Sequence, residues 1–247
     1  MCIRDSRIHI NGTDVNHIKN VLRMKCGEDV WISDGGDKEY HCQIEELGED
    51  EVLLHILYAQ EPEYELPNKI YLFQGLPKAD KMELIIQKAV ELGVYEIIPV
   101  AMKNCVVKLD AKKAAAKTAR WQGIAESAAK QSKRSLIPKV SEPVSYKEAV
   151  AYAMKLDQKL VPYENERGMA ATREAVEAVR PGESIGIFIG PEGGFAPEEI
   201  EAVKGEMKLI SLGSRILRTE TAGFTTLAIL MLSLIHISEP TRHSLIS

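Results

Sequence analysis

The 247-residue chain reads as an α/β protein in two parts, a small β-barrel followed by a mostly parallel sheet with helices on its faces. Three observations carry that reading. Arg7–Tyr58 consists of short apolar segments broken by polar turns. Glu61–Asn68 (EPEYELPN) holds two prolines without apolar periodicity and is a linker. From Lys69 onward, apolar strand-like runs alternate with amphipathic helical segments.

In chain order, Arg7-Ile8-His9-Ile10 opens the first strand. Val30-Trp31-Ile32, Tyr40–Ile44 and Val52–Ile56 are strands grouped around the turn Ser33-Asp34-Gly35-Gly36-Asp37. After the linker come a strand at Lys69–Phe73, a helix at Lys81–Leu92, a strand at Glu96–Val100 and a helix at Lys112–Lys130. Tyr146–Met154 is helical, Gln158–Pro162 a strand and Met169–Val179 helical. The domains are therefore expected at 7–65 and 69–233.

The stretch Ser184–Glu199, SIGIFIGPEGGFAPEE, is the richest in chemistry. Its apolar run ends abruptly at Gly190-Pro191-Glu192-Gly193-Gly194, and a helix start follows with Pro197, Glu198 and Glu199 in the first turn. Strand, glycine-rich loop and helix together bring backbone N–H groups against a small ligand. The loop lacks the Gly-Lys-Ser/Thr of a phosphate loop and does not match G-x-G-x-x-G. Its carboxylate at Glu192 suits a ligand with hydroxyl, amine or positive charge. The alternative is a tight turn with no ligand.

A second motif, Leu212–Ala222 (LGSRILRTETA), follows the apolar strand Lys208–Leu212. Thr219 is placed to cap the next helix, with Glu220 in its first turn. A simple N-capped core helix explains Gly213 and Thr219 but leaves Arg215, Arg218 and Glu220 without a purpose.

GPEGGF followed about twenty residues later by LGSRILRTETA strongly resembles the RsmE family of ribosomal RNA methyltransferases, members of the SPOUT group. The resemblance runs back through Leu72–Val100, Arg120–Pro138 and His17–Tyr40, covering about nine-tenths of the chain. It implies a C-terminal trefoil-knotted SPOUT methyltransferase domain, a PUA-like N-terminal domain for RNA, and a homodimer. It also implies S-adenosylmethionine as cofactor and methyl transfer to N3 of a uridine in 16S ribosomal RNA. No periodicity would reveal a knot, because knots break the usual connection rules.

In open α/β sheets ligands sit beyond the carboxyl ends of the strands. In the resembled family three such loops form the cofactor site. Carried onto this chain, they are Tyr163 and Glu164; Gly190, Pro191, Glu192, Gly193 and Gly194; and Leu212, Gly213, Ile216 and Leu217. Leu212, Ile216 and Leu217 would hold the adenine, with Gly190, Glu192 and Gly194 near the ribose and sulfonium. Tyr163 and Glu164 read equally well as a surface turn. Uracil N3 is a poor nucleophile until its proton leaves, so the site needs a base or a cation facing the developing charge. Arg218 is the expected cation, and Glu220 is either a base or a helix cap.

Arg23 and Lys25, together with Gln131 and Arg134 on one side of a continued helix, suit contacts to RNA. His17 reads as a histidine beside a turn rather than a catalyst. Two other functions stay open: a SPOUT enzyme for another RNA position, and an RNA-binding protein of the same fold without catalysis.

Composition narrows the rest. A hydrophobic fraction of 45% supports a real core. Cys2, Cys26, Cys42 and Cys105 show no C-x-x-C spacing and no neighbouring histidine cluster, so neither zinc nor a disulfide framework is expected. The absence of a leader pattern and of a membrane-length apolar run suggests a cytoplasmic protein without a membrane or metal partner. The net charge of −5 hides an uneven distribution. Lys103–Lys139 holds ten Lys/Arg against Asp110 and Glu126, a local +8 able to meet phosphates, or else an ordinary solvated helix face. Met1–Ser6 and Leu234–Ser247 depart from the family pattern and are expected to be foreign to the fold.

Overall fold

A computed structural model describes residues 2–4, 6–33, 38–60 and 65–238. The expected turn at 34–37, the linker's first residues 61–64 and the tail 239–247 lie outside the described residues. The chain divides into two compact units, Met1–Glu65 and Leu66–Ser247.

The first unit contains β1 (Cys2–Arg4), β2 (Arg7–Asn11), α1 (Thr13–Asn16) running into a π-type turn at His17–Val21, β3 (Asp29–Ser33), β4 (Glu39–Leu47) and β5 (Glu51–Gln60). The strands are antiparallel in the order β1-β2-β5-β4-β3. Alternation decides the faces. Ile8, Ile10, Cys42, Ile44, Val52 and Leu54 point inward and are buried with Val15 and Ile18 of the helical segment. Two expectations change here. The sheet is open rather than a closed barrel, since among the described residues no ladder joins its outer strands β1 and β3. Residues Cys2–Arg4, expected to stand outside the fold, pair with Arg7–His9 as a hairpin.

The second unit contains β6 (Lys69–Gly75), α2 (Lys81–Glu91), β7 (Glu96–Ala101), α3 (Ala111–Gln131), β8 (Lys139–Val140), β9 (Val144–Ser145), α4 (Tyr146–Ala153), β10 (Gln158–Pro162), α5 (Ala170–Glu177), β11 (Ser184–Ile189), α6 (Pro197–Glu201), β12 (Lys208–Ile210) and α7 (Thr219–Ser238). Its sheet is parallel in the order β12-β10-β11-β6-β7-β8, with β9 also paired to β7. β6, β7 and β11 are nearly continuous buried runs, as parallel strands covered on both faces must be. At their centre Phe73 and Phe188 stack with centroids 4.4 Å apart. α2 packs on α3 and α7, and α5 on β12 and α7. α7 continues through the boundary expected at 233, with Leu234 buried in the core.

The two central strands end in close contact. A Cβ on Gly75 would stand 2.7 Å from the Pro191 backbone nitrogen, so only glycine lets β6 pass beneath the loop that leaves β11. Gly75→Ala is expected to lower unfolding stability by about 1–3 kcal/mol, the usual cost of overpacking. Gly123→Ala on α3, where an added Cβ meets nothing within 4 Å, should instead raise it by about 0.5–1 kcal/mol. Urea denaturation of the two variants reads both signs.

Candidate active site

The loops leaving the carboxyl ends of the adjacent strands β10, β11 and β12 enclose a cavity of about 400 Å³, within the range of small-molecule sites. All three expected loops contribute to it. Tyr163 and Glu164 line it from the first loop, and Gly190, Pro191, Glu192 and Gly194 from the second. Leu212, Gly213, Ile216, Leu217 and Arg218 line it from the third. Gly193 and Glu220 fall outside the walls, whereas Lys81 and Phe195 belong to them without having been expected.

The glycine loop is held by side chains from three directions. Gly194 has a φ of +68°, and its N–H donates to the Pro191 carbonyl at 2.9 Å, closing a tight turn. The Asn104 amide donates to the carbonyls of Gly193 (3.1 Å) and Gly194 (3.2 Å). The Thr219 hydroxyl donates to the Gly190 carbonyl at 2.6 Å and accepts from Gln74 Nε2 at 2.9 Å. Thr219 thus begins α7 as its first residue and locks it to the β11 loop, in place of the helix-capping role expected for it. Below the loop, buried Glu199 accepts from the backbone of Ala196 (2.8 Å) and of Lys103 (2.8 Å), tying the start of α6 to the end of β7.

Charge at the mouth is divided between paired and unpaired groups. Lys81 Nζ stands 3.2 Å from Glu192 and 3.4 Å from Glu220. The hydrogen bond to Glu192, with the two carboxylates' charge, holds the Lys81 ammonium above its ordinary range against the opposing effect of burial. Burial pushes Glu192 up, but the Lys78 N–H at 3.0 Å and the Lys81 ammonium outweigh it and hold its carboxyl below the usual 4.5. Glu192 is therefore held ionised and paired with Lys81 while it lines the cavity. Glu220 is paired with Lys81 and lies outside the cavity walls. The free carboxylate of the cavity is exposed Glu164, with Oε1 3.6 Å from where a Gly194 Cβ would sit. Arg218 and Arg215 are exposed and, among the described residues, make no ion pair.

The expected RNA contacts separate in the same way. Arg23, in left-handed backbone at φ +55°, and Lys25 are exposed on the first unit. Gln131 is exposed, but Arg134 is not its helical neighbour, because α3 stops at Gln131 and Lys133 turns the chain at φ +57°. Arg134 Nη1 donates to the carbonyls of Val90 (3.1 Å) and Val94 (2.6 Å), closing the end of α2, so this side chain has a structural role. In the basic stretch Lys103 pairs with Glu198, Lys113 with Asp110, Arg120 with Glu83 and Lys139 with Glu96. Lys112 and Lys130 of α3 and Lys133 beyond it remain exposed to solvent. Among the described residues there is no metal-ligating cluster of His, Cys, Asp and Glu, and no helix is long and apolar enough to cross a membrane.

Residues 64–231 match the RNA methyltransferase domain family, and residues 10–57 match the RNA methyltransferase PUA domain family. The chain is therefore an RNA methyltransferase by family. The ribosomal RNA small subunit methyltransferase E of Bacillus subtilis is 38% identical over 217 residues, covering 86% of this chain and 85% of the relative. That of Mesomycoplasma hyopneumoniae is 41% identical over 158 residues, covering 63% and 66%. The crystal structure of a ribosomal RNA small subunit methyltransferase E from Neisseria gonorrhoeae bound to S-adenosyl methionine superposes with a TM-score of 0.75 at 32% identity, covering 92% and 91% of the two chains. The chain belongs to this ribosomal RNA small subunit methyltransferase E family.

The Glu192 interactions carry a pH signature. A depressed folded-state pKa stabilises fully above the unfolded value of 4.5 and is lost as pH falls through the folded value. Glu192→Gln is expected to cost about 1 kcal/mol at neutral pH, the scale of one hydrogen bond. Urea denaturation at a series of pH values should show that deficit closing on acidification below 4.5.

Proposed function

We propose that this chain methylates N3 of a uridine in 16S ribosomal RNA with S-adenosylmethionine, using the three-loop cavity and the unpaired Arg218 at its mouth. The observation that carries the reading is the separation of charge in that cavity. Lys81 is paired with both Glu192 and Glu220, a cluster that keeps one negative charge, while Arg218 stays unpaired among the described residues.

The residues present suit S-adenosylmethionine. Leu212, Ile216 and Leu217 give an apolar wall for an adenine, Gly194 leaves room for backbone approach, and Gly190 lets Phe195 pack against the loop. Pro191, Gly193 and Gly213 shape the turns on either side, and Tyr163 and Glu164 close the remaining wall, with the Glu164 carboxylate available to a hydroxyl or ammonium. The bound cofactor supplies an electrophilic methyl group on a sulfonium. The chain's own task is then to place a uracil N3 in line and to favour loss of its proton. The Arg218 guanidinium does this by stabilising negative charge building on O2 or O4. N3 lies on the Watson–Crick edge, so the target base enters unpaired or extruded.

The wider reading follows from surfaces. Lys112, Lys130 and Lys133, with Gln131, form the contact for RNA phosphates on the second unit, and Arg23 and Lys25 provide one on the first. α7 is apolar around its whole circumference and leaves Leu232 and Ile235 exposed, which supports a homodimer through this helix. We also assign the trefoil knot to the second unit, functional boundaries at 7–65 and 69–233, and a cytoplasmic site of action.

Calorimetric titration is expected to give saturable binding of S-adenosylmethionine and none of ATP or NAD; equal binding of the nucleotides would contradict the site. Arg218→Ala should lower kcat by roughly 10²–10³-fold while S-adenosylmethionine affinity stays within about twofold. Undiminished turnover would remove Arg218 from the chemistry. Binding of small-subunit RNA should weaken steeply between about 50 and 200 mM salt, and Lys130→Ala should reduce that slope.

A further inference from the structure

The first unit carries an exposed cluster of rings that the reaction does not use. Trp31 of β3 pairs with His41 of β4, and His41 pairs with Tyr58 of β5, and the three rings close into a triangular cluster in which Trp31 meets Tyr58 edge-on at 5.8 Å. They stand on the face opposite the Ile8–Leu54 core. Trp31 and His41 centroids lie 4.7 Å apart, and His41 and Tyr58 4.9 Å apart. Trp31 and Tyr58 nevertheless remain 48% and 49% exposed, a large apolar surface left in water.

The surroundings decide what fits there. Asp29, two residues before Trp31 and on the same face, places Oδ2 3.4 Å from His41 Nε2 while its side chain stays half exposed. Glu39 shares the face from β4. Arg7, on β2, is paired with Glu45 at 2.6 and 2.9 Å. Residues 1–65 hold fifteen Asp/Glu against six Lys/Arg, a formal −9. Beside Asp29 and Glu39 a phosphate is disfavoured and a cationic chain is favoured.

We propose that the Trp31–His41–Tyr58 cluster docks a basic polypeptide by stacking its arginine side chains on the exposed rings beside Asp29. A guanidinium is planar, stacks on Trp and Tyr faces and forks onto a carboxylate, so it uses both halves of this surface at once. The docking requires no methyl transfer and is independent of the reaction assigned to the cavity.

The test uses the full-length protein and measures anisotropy of fluorescently labelled hexa-arginine, with labelled hexauridylate as the nucleic-acid probe. Saturable peptide binding is expected to weaken about tenfold in Trp31→Ala and in Tyr58→Ala, and to be retained within about threefold in Trp31→Phe. Asp29→Asn should weaken it several-fold. Emission from buried Trp121 reports that each variant is folded, and Tyr58→Ala decides the matter if Trp31→Ala is not. Absence of saturable peptide binding, or equal affinity in the ring-deleted variants, would overturn the proposal. So would hexauridylate binding abolished by the same substitutions, which would make the cluster a base-stacking platform instead.

Discussion

The parallel pairing of β6 with β11 is the constraint on which the rest of the second unit depends. It aligns Lys69–Gln74 with Ser184–Ile189 residue for residue and buries both strands on both faces around the Phe73–Phe188 stack. That register sets Gly75 beneath Pro191, so the glycine loop must turn away from the sheet at one place. It also sets buried Gln74 against Thr219, whose hydroxyl reaches the Gly190 carbonyl. One strand pairing thereby determines where the second loop begins and where the third loop gives way to α7. The cavity is a consequence of this sheet and not of the loops alone.

Electrostatics then sorts the polar residues. Lys81 lies in the first turn of α2, where the helix dipole disfavours a cation, and it is stabilised there by Glu192 and Glu220. Glu199 and Asn104 satisfy backbone groups, and Arg134 closes the end of α2. These groups are consumed in holding the site together. Glu164, Arg215 and Arg218 are left for chemistry because they face outward without such partners among the described residues. Ile216, 85% exposed in the same loop, is an apolar surface set out in water at the cavity wall.

Much of this was legible in the chain itself. Apolar runs ending at Gly190 and Gly213 marked two of the three loops, and strand alternation located every principal strand of the parallel sheet. What escaped depends on distance in sequence. Asn104 is 89 residues from Gly193, and Gln74 is 145 from Thr219, so no local pattern pairs them. Lys81 did leave a trace, a lysine at a helix start against the dipole. Arg134 was misplaced because a helical continuation through Lys133 was assumed where the backbone turns left-handed. The barrel expectation failed for a similar reason, since alternation sets the faces of strands but not whether the outer ones meet. Glu192 and Glu220 were recognised as special, but their shared partner, which decides their role, came from α2.

The most direct test is to incubate the purified protein with S-adenosylmethionine and unmodified small ribosomal subunits, digest the RNA to nucleosides and identify the methylated product by mass spectrometry. The account requires 3-methyluridine. Methylation of a different nucleoside, or none from protein that binds the cofactor, would contradict it.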